Sequence, residues 1–182
     1  MLELATLVWG FVLAFAAVGL GRGWTKEIIA LAGIMLGLFA LHQFDSAIRE
    51  QLLVNFSSQV KFLFQSAILM IIAFFAYQTR ALVGNRAQDE PDVTGRDALQ
   101  SKALGGIVGA VNGYLLSGSI WYFMHINDYP LSPYIEAPAI GSLSLSTVNN
   151  LPLYVLAGGP GAPGDLLSLS VIGLFIIVLV LI

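Results

Sequence analysis

Leu20–Gly21–Arg22–Gly23–Trp24–Thr25–Lys26–Glu27 is the polar break in the first forty-one residues, and an apolar run flanks it on either side. Gly21 and Gly23 tolerate positive φ at little cost, so the backbone can reverse direction between the two runs. Arg22 and Lys26 hold that reversal at a membrane face, because neither charge is cheap in hydrocarbon. Trp24 between them is an amphipathic ring suited to the headgroup level. The stretch reads as the turn of a transmembrane helical hairpin.

Composition supports the same reading. Of 182 residues, 57% are hydrophobic and 10% charged, against about 25% charged in ordinary soluble domains. Such a chain cannot cover a water-facing surface, and a multi-pass, all-α membrane protein follows. The net charge of −3 offers nothing to nucleic acid. With no cysteine, disulfide scaffolds, thiol nucleophiles and thiolate-held metals are excluded. Met1–Leu2–Glu3 lacks the basic start of a cleavable signal, so the first span is expected to persist in the mature protein.

Outward from the turn, Leu2–Leu20 forms a first span of about 28 Å, close to the hydrocarbon thickness. The second runs from about Glu27 to Leu41, extending to Gln43 if its ends tilt or fray, with Thr25 as its expected cap and Glu27 placed to suit the helix dipole. His42 to Lys61 is a polar connection whose Leu52, Leu53, Phe56 and Phe62 suggest an interfacial amphipathic piece. Phe62–Leu82 is the third span. Val83–Lys102 is rich in charge, and Thr94 with Asp97 has capping-box spacing, so a fourth helix starts near Gly95 and leaves the membrane near Met124.

Residues 1–124 thus form a four-helix core of two hairpins. Residues 125–165 carry Pro130, Pro133, Pro138, Pro160 and Pro163 among serines and glycines, and read as an extended, partly ordered external loop. Residues 166–182 are a C-terminal apolar segment expected to be a fifth transmembrane helix. Arg22, Lys26, Arg80, Arg86, Arg96 and Lys102 fall on one side if the spans alternate; Arg49 and Lys61 fall on the other. The positive-inside bias then puts the N-terminus outside and the loops 21–27 and 83–102 in the cytoplasm.

Within the fourth span, small residues recur every four positions: Ser101, Gly105, Gly109, Gly113 and Ser117. Four residues turn a helix by about 400°, so the row drifts slowly around one side as a groove that lets another backbone approach. Gly33 and Gly37 repeat the pattern on the second span. The groove serves either close packing of the second and fourth helices, or docking of another membrane protein or a second copy. Asn112 is the strongest polar residue inside a span, and its amide must find a partner in protein. Gln65 and Gln78 lie nearer the ends of the third span and could reach it or the headgroups. Asn112 is either a structural bond or a contact to a substrate or ion.

No other constellation carries chemistry. His42 and His125 have no companions at ligand spacing, which leaves no metal site. Asp89–Glu90–Pro91–Asp92 is broken by its proline and reads as a solvated loop. The serines of residues 125–165 lack an activating base. The glycines from Gly158 to Gly164 come without a lysine and form a linker rather than a phosphate loop. Trp9, Trp24 and Trp121 fall near span ends, where aromatic belts sit.

Gly19–Leu20–Gly21–Arg22–Gly23–Trp24 followed by Thr25–Lys26–Glu27, with Ala32–Gly33 and Gly37 in the next span, resembles the opening hairpin of the colicin V production protein (CvpA) family. Gly95–Arg96–Asp97, then Leu104–Gly105–Gly106–Ile107–Val108–Gly109–Ala110, resembles the start of that family's last core helix. The resemblance covers about residues 2–124. Where the family often has arginine and glycine, this chain has Asn112–Gly113. The resemblance implies a four-helix protein of the bacterial inner membrane, linked to colicin V export and other envelope processes, with no catalytic residues or cofactor to carry over. The expected function is a non-enzymatic scaffold or accessory subunit, its partners the lipid bilayer and another membrane protein or a second copy. A small channel or transporter subunit, or a structural subunit of a larger membrane complex, is the alternative.

Overall fold

The computed structural model describes residues 3–78 and 95–181. Arg80, Arg86, the acidic run 89–92, Thr94 and the end of the third span at Leu82 lie outside the described residues. The described elements are helices: α1 (Leu4–Arg22), α2 (Trp24–Gln43), α3 (Ser58–Tyr77), α4 (Arg96–Ile126), α5 (Leu143–Val148), α6 (Pro152–Ala157) and α7 (Asp165–Leu181). The first four are long and apolar enough to cross a membrane; α7 is shorter.

One residue joins α1 to α2. Gly23 sits at φ 81° and ψ 162°, a region open almost only to glycine. Its N–H donates to Gly19 O at 3.0 Å and closes α1. The helix therefore restarts at once, at Trp24, and Gly23 holds the cap position expected for Thr25. Thr25 is already inside the first turn.

From this joint the two helices find different partners. The main contacts of α1 are with α4, whereas α2 packs on α3, α4 and α7. The small-residue row of α4 thus meets α1, not α2 as the sequence suggested. A Cβ added at Gly105 would collide with Gly19 O, one at Gly109 with Phe15 O, and one at Gly113 would lie 2.8 Å from Phe11 O. These are backbone atoms, which cannot swing aside. The reason for the exchange lies on α2, where Gly33 and Gly37 face Ala76 and Ile72 of α3 so closely that an added Cβ would lie 2.7 and 2.8 Å from their side chains. The short pair thus takes α3, and the long row takes α1.

At the far end of the bundle the connection between α2 and α3 contains a π-helical turn, Ala47–Leu52. Leu52 and Phe56 are exposed there, while Leu53 and Phe62 turn inward. Lys61 falls in the first turn of α3, which starts earlier than expected because Ser57 caps it, accepting from Val60 N.

The stretch after α4 is not extended throughout. It holds α5 and α6, whose Val148 and Leu153 are buried together with Leu151 between them. Pro152 packs onto Gly118 of α4. α7 begins at this end, where His42 Nε2 pairs with Ala162 O at 2.9 Å, and runs back along α2.

Candidate functional site

Arg22 ends α1 and Glu27 lies in the first turn of α2. The single-residue joint brings them together across five positions, with Arg22 Nε 2.6 Å from Glu27 Oε1. α3 ends beside them and contributes Tyr77, whose hydroxyl donates to Glu27 Oε2 at 3.0 Å. α4 contributes Asn112, whose Nδ2 donates to the same oxygen at 2.8 Å and to Glu27 O at 3.2 Å. Glu27 and Asn112 are both fully buried.

Arg22 is fixed further. Its Nη1 donates to Tyr77 O at 3.3 Å, and its guanidinium lies 4.7 Å from the centre of the Tyr77 ring. Phe15 makes an edge-to-face contact with the same ring, their centres 5.8 Å apart. A buried carboxylate is tolerable only when paired and hydrogen-bonded, and here every partner comes from a different helix. The cluster is a four-way tie between α1, α2, α3 and α4 near one end of the bundle. Two of its atoms, Arg22 Nη2 and Asn112 Oδ1, are buried without a hydrogen-bond partner among the described residues.

The residues singled out from the sequence divide into three groups. Arg22, Glu27 and Asn112 meet in this cluster. Gly33, Gly37, Gly105, Gly109 and Gly113 line helix seams; Ser101 touches Gly23, and Ser117 Oγ turns back to Gly113 O at 2.6 Å. Gly21 faces open space, and Trp24 and Lys26 are part-exposed at the hairpin end. Neither Gln65 nor Gln78 supplies Asn112's partner; Glu27 does. Trp121 is not in an aromatic belt either. It is buried, and its Nε1 donates to Tyr129 Oη at 3.2 Å.

Gln65 belongs to a second cluster at the opposite end. Its Nε2 donates to Asp45 Oδ1 at 2.8 Å, and its Oε1 accepts from Asn127 Nδ2 at 2.9 Å. Arg49 reaches Asp45 at 3.5 Å and donates to Ile126 O at 3.2 Å. Burial pushes the Asp45 carboxyl above its ordinary 3.8, and this outweighs the opposing pull of Arg49, His42 and Gln65.

The sequence reading missed Tyr77 and this second cluster. A tyrosine closing a phenylalanine-rich span, and an Asp45–Arg49 pair one helical turn apart, were the available signals. Between the two clusters the interior is built mainly from Ile34, Leu38, Leu69, Leu115 and Leu116; Ser119, also fully buried, lies on the same stretch of α4.

The family model for colicin V production protein matches residues 4–146, well over half of the chain and some way past the end of the four-helix core. No curated protein and no solved structure matches.

Proposed function

The chain belongs to the colicin V production protein family, and on that premise we propose that it acts without catalysis, as a scaffold or accessory subunit in export or envelope processes of the bacterial inner membrane. The observation that carries this reading is the use made of Glu27. Its carboxylate oxygens are taken by Arg22, Tyr77 and Asn112, so the most polar group inside the spans is committed to holding helices together. The glycine row is likewise filled from within by α1. Recognition then falls to the outward faces of α1 and α3, where Leu13 and Phe75 are exposed. Another membrane protein or a second copy would dock there, in a bilayer with the N-terminus outside and the hairpin turn inside, as the basic residues favour. Nucleic acid, metal and cofactor have no part in this reading.

A photo-crosslinking side chain placed at Leu13 or Phe75 in living cells tests it. A discrete protein adduct from either face is the expected result; adducts to lipid alone from both would refute the proposal.

A second reading, a channel or transporter subunit, draws on Asn112 Oδ1 and Arg22 Nη2, which have no hydrogen-bond partner among the described residues, since buried polar groups in membranes often mark pathways. Ion or proton flux through purified chain in sealed vesicles, abolished by Asn112→Leu, would favour it over the scaffold.

A further inference from the structure

From Tyr129 to Gly164 the chain carries a single charged residue, Glu136, whereas an aqueous segment of ordinary composition is about one quarter charged. Large apolar side chains stand out from it: Tyr134 is 93% exposed and Ile140 99%. On α5 Val148 faces inward, but the first turn departs from the usual pattern. Ser144 is buried, while Leu143 and Leu145 point outward at 61% and 40% exposure. Water is a poor solvent for that face.

The fold also fixes the depth of this segment. Ser144 Oγ accepts from Ala5 N at 3.2 Å and donates to Glu3 Oε2 at 3.4 Å, which ties α5 to the first turn of α1. α1 is about 28 Å long, the thickness of the hydrocarbon layer, so its first turn marks the acyl boundary. α6 sits at the same height. The antiparallel register that sets Phe11 beside Gly113 brings Gly118, five residues further along α4, level with Thr6, five residues back along α1. Pro152 of α6 packs on Gly118. Both short helices therefore lie at the rim of the apolar belt, and that belt continues down α1 through the exposed Leu7, Trp9 and Phe11.

We infer that α5 and the strand of chain before it are seated in the membrane, with Ile140, Leu143 and Leu145 inserted among phospholipid chains at the acyl boundary of the leaflet around the α1 N-terminus. Residues 140–145 are then held in lipid rather than forming part of a loop in water. Burial of amphipathic segments at this depth is how interfacial helices hold to bilayers. It gives α5 an anchor that its six residues could not supply as a free helix.

The chain has no cysteine, so single thiols report the depth directly. Ile140→Cys, Leu143→Cys and Leu145→Cys, each carrying an environment-sensitive fluorophore, are compared in phosphatidylcholine–phosphatidylglycerol vesicles with two references. Leu13→Cys stands in the exposed middle of α1, and Glu50→Cys is exposed on the π-helical turn. Expected at the three sites are strong quenching by shallow nitroxide lipids, weaker quenching by deep ones, and iodide quenching several-fold below that at Glu50→Cys. Iodide quenching equal to Glu50→Cys with none from lipid would place the segment in water and overturn the inference. Protection from both quenchers would mean that a second copy covers the face, and would overturn it equally. The three sites are independent, so one that misfolds leaves two to decide.

Discussion

Glu27 shows how much a single residue's meaning depends on what surrounds it. In the chain it is a carboxylate in the first turn of a helix, where a favourable dipole accounts for it. In the fold it is fully buried and receives donors from three other helices. Glu27→Leu leaves Arg22, Tyr77 and Asn112 facing apolar carbon, at a cost of about 3 kcal/mol, the lower end for a broken buried pair because Arg22 retains some exposure. Chemical unfolding in detergent micelles should show a lower midpoint for that variant, and a smaller drop for Glu27→Gln. A midpoint unchanged in Glu27→Leu would mean that the cluster holds nothing together. Gly23→Ala acts at the same joint through strain alone, since φ 81° with ψ 162° costs a residue with a Cβ about 1–3 kcal/mol.

Asp45 gives a pH dependence of definite sign. Its folded pKa lies above the ordinary 3.8, so the native state holds that proton more tightly than the unfolded chain. Its contribution to stability is full below pH 3.8 and is lost as pH rises through the raised value. Asp45→Asn keeps an acceptor for Gln65 but cannot titrate. Thermal melts taken upward from pH 4 should show a decline in the native chain that flattens in the variant; parallel profiles would contradict the assignment.

Among the elements, the pairing of α1 with α4 is the contact that sequence alone misassigned. The row of small residues was plain to read, as was the need for a close backbone neighbour. Which helix would fill the groove was not, because Gly33 and Gly37 pointed to α2. Only the packing of those two residues on Ala76 and Ile72 settles the choice. Span positions, by contrast, were legible because hydrocarbon thickness dictates their length. The short helices α5 and α6 escaped notice, since six-residue helices leave no periodicity and the prolines and glycines around them read as loop. Asn112 was legible as a residue needing a partner. Tyr77 and the Asp45–Gln65–Asn127 chain were not, because hydrogen bonds between residues twenty or more positions apart leave no local trace. At this scale Gly109→Ala should cost about 1–3 kcal/mol, as overpacked seams do, and Gly109→Leu should separate α1 from α4 altogether. Detergent-stability assays measure both, and indifference to the leucine would exclude a tight seam.

Taken whole, the molecule is a bundle closed at both ends by polar ties and sealed between them by aliphatic side chains. Arg22, Lys26 and Lys102 gather at one end, Arg49 and Lys61 at the other. Its inner grooves are filled by its own helices, so the partner proposed above would have only the outer faces. That is the central claim, and it rests on the glycine row being an internal seam. The direct measurement is oxidation of a Leu20→Cys, Gly106→Cys double variant in native membranes. The Gly106 Cβ position lies 3.0 Å from Leu20 Cγ, within reach of disulfide geometry. A rapid crosslink within one chain, running as a compact monomer on a non-reducing gel, is the predicted result. A crosslinked dimer without the monomeric form would contradict it, and would make the row the junction between two copies.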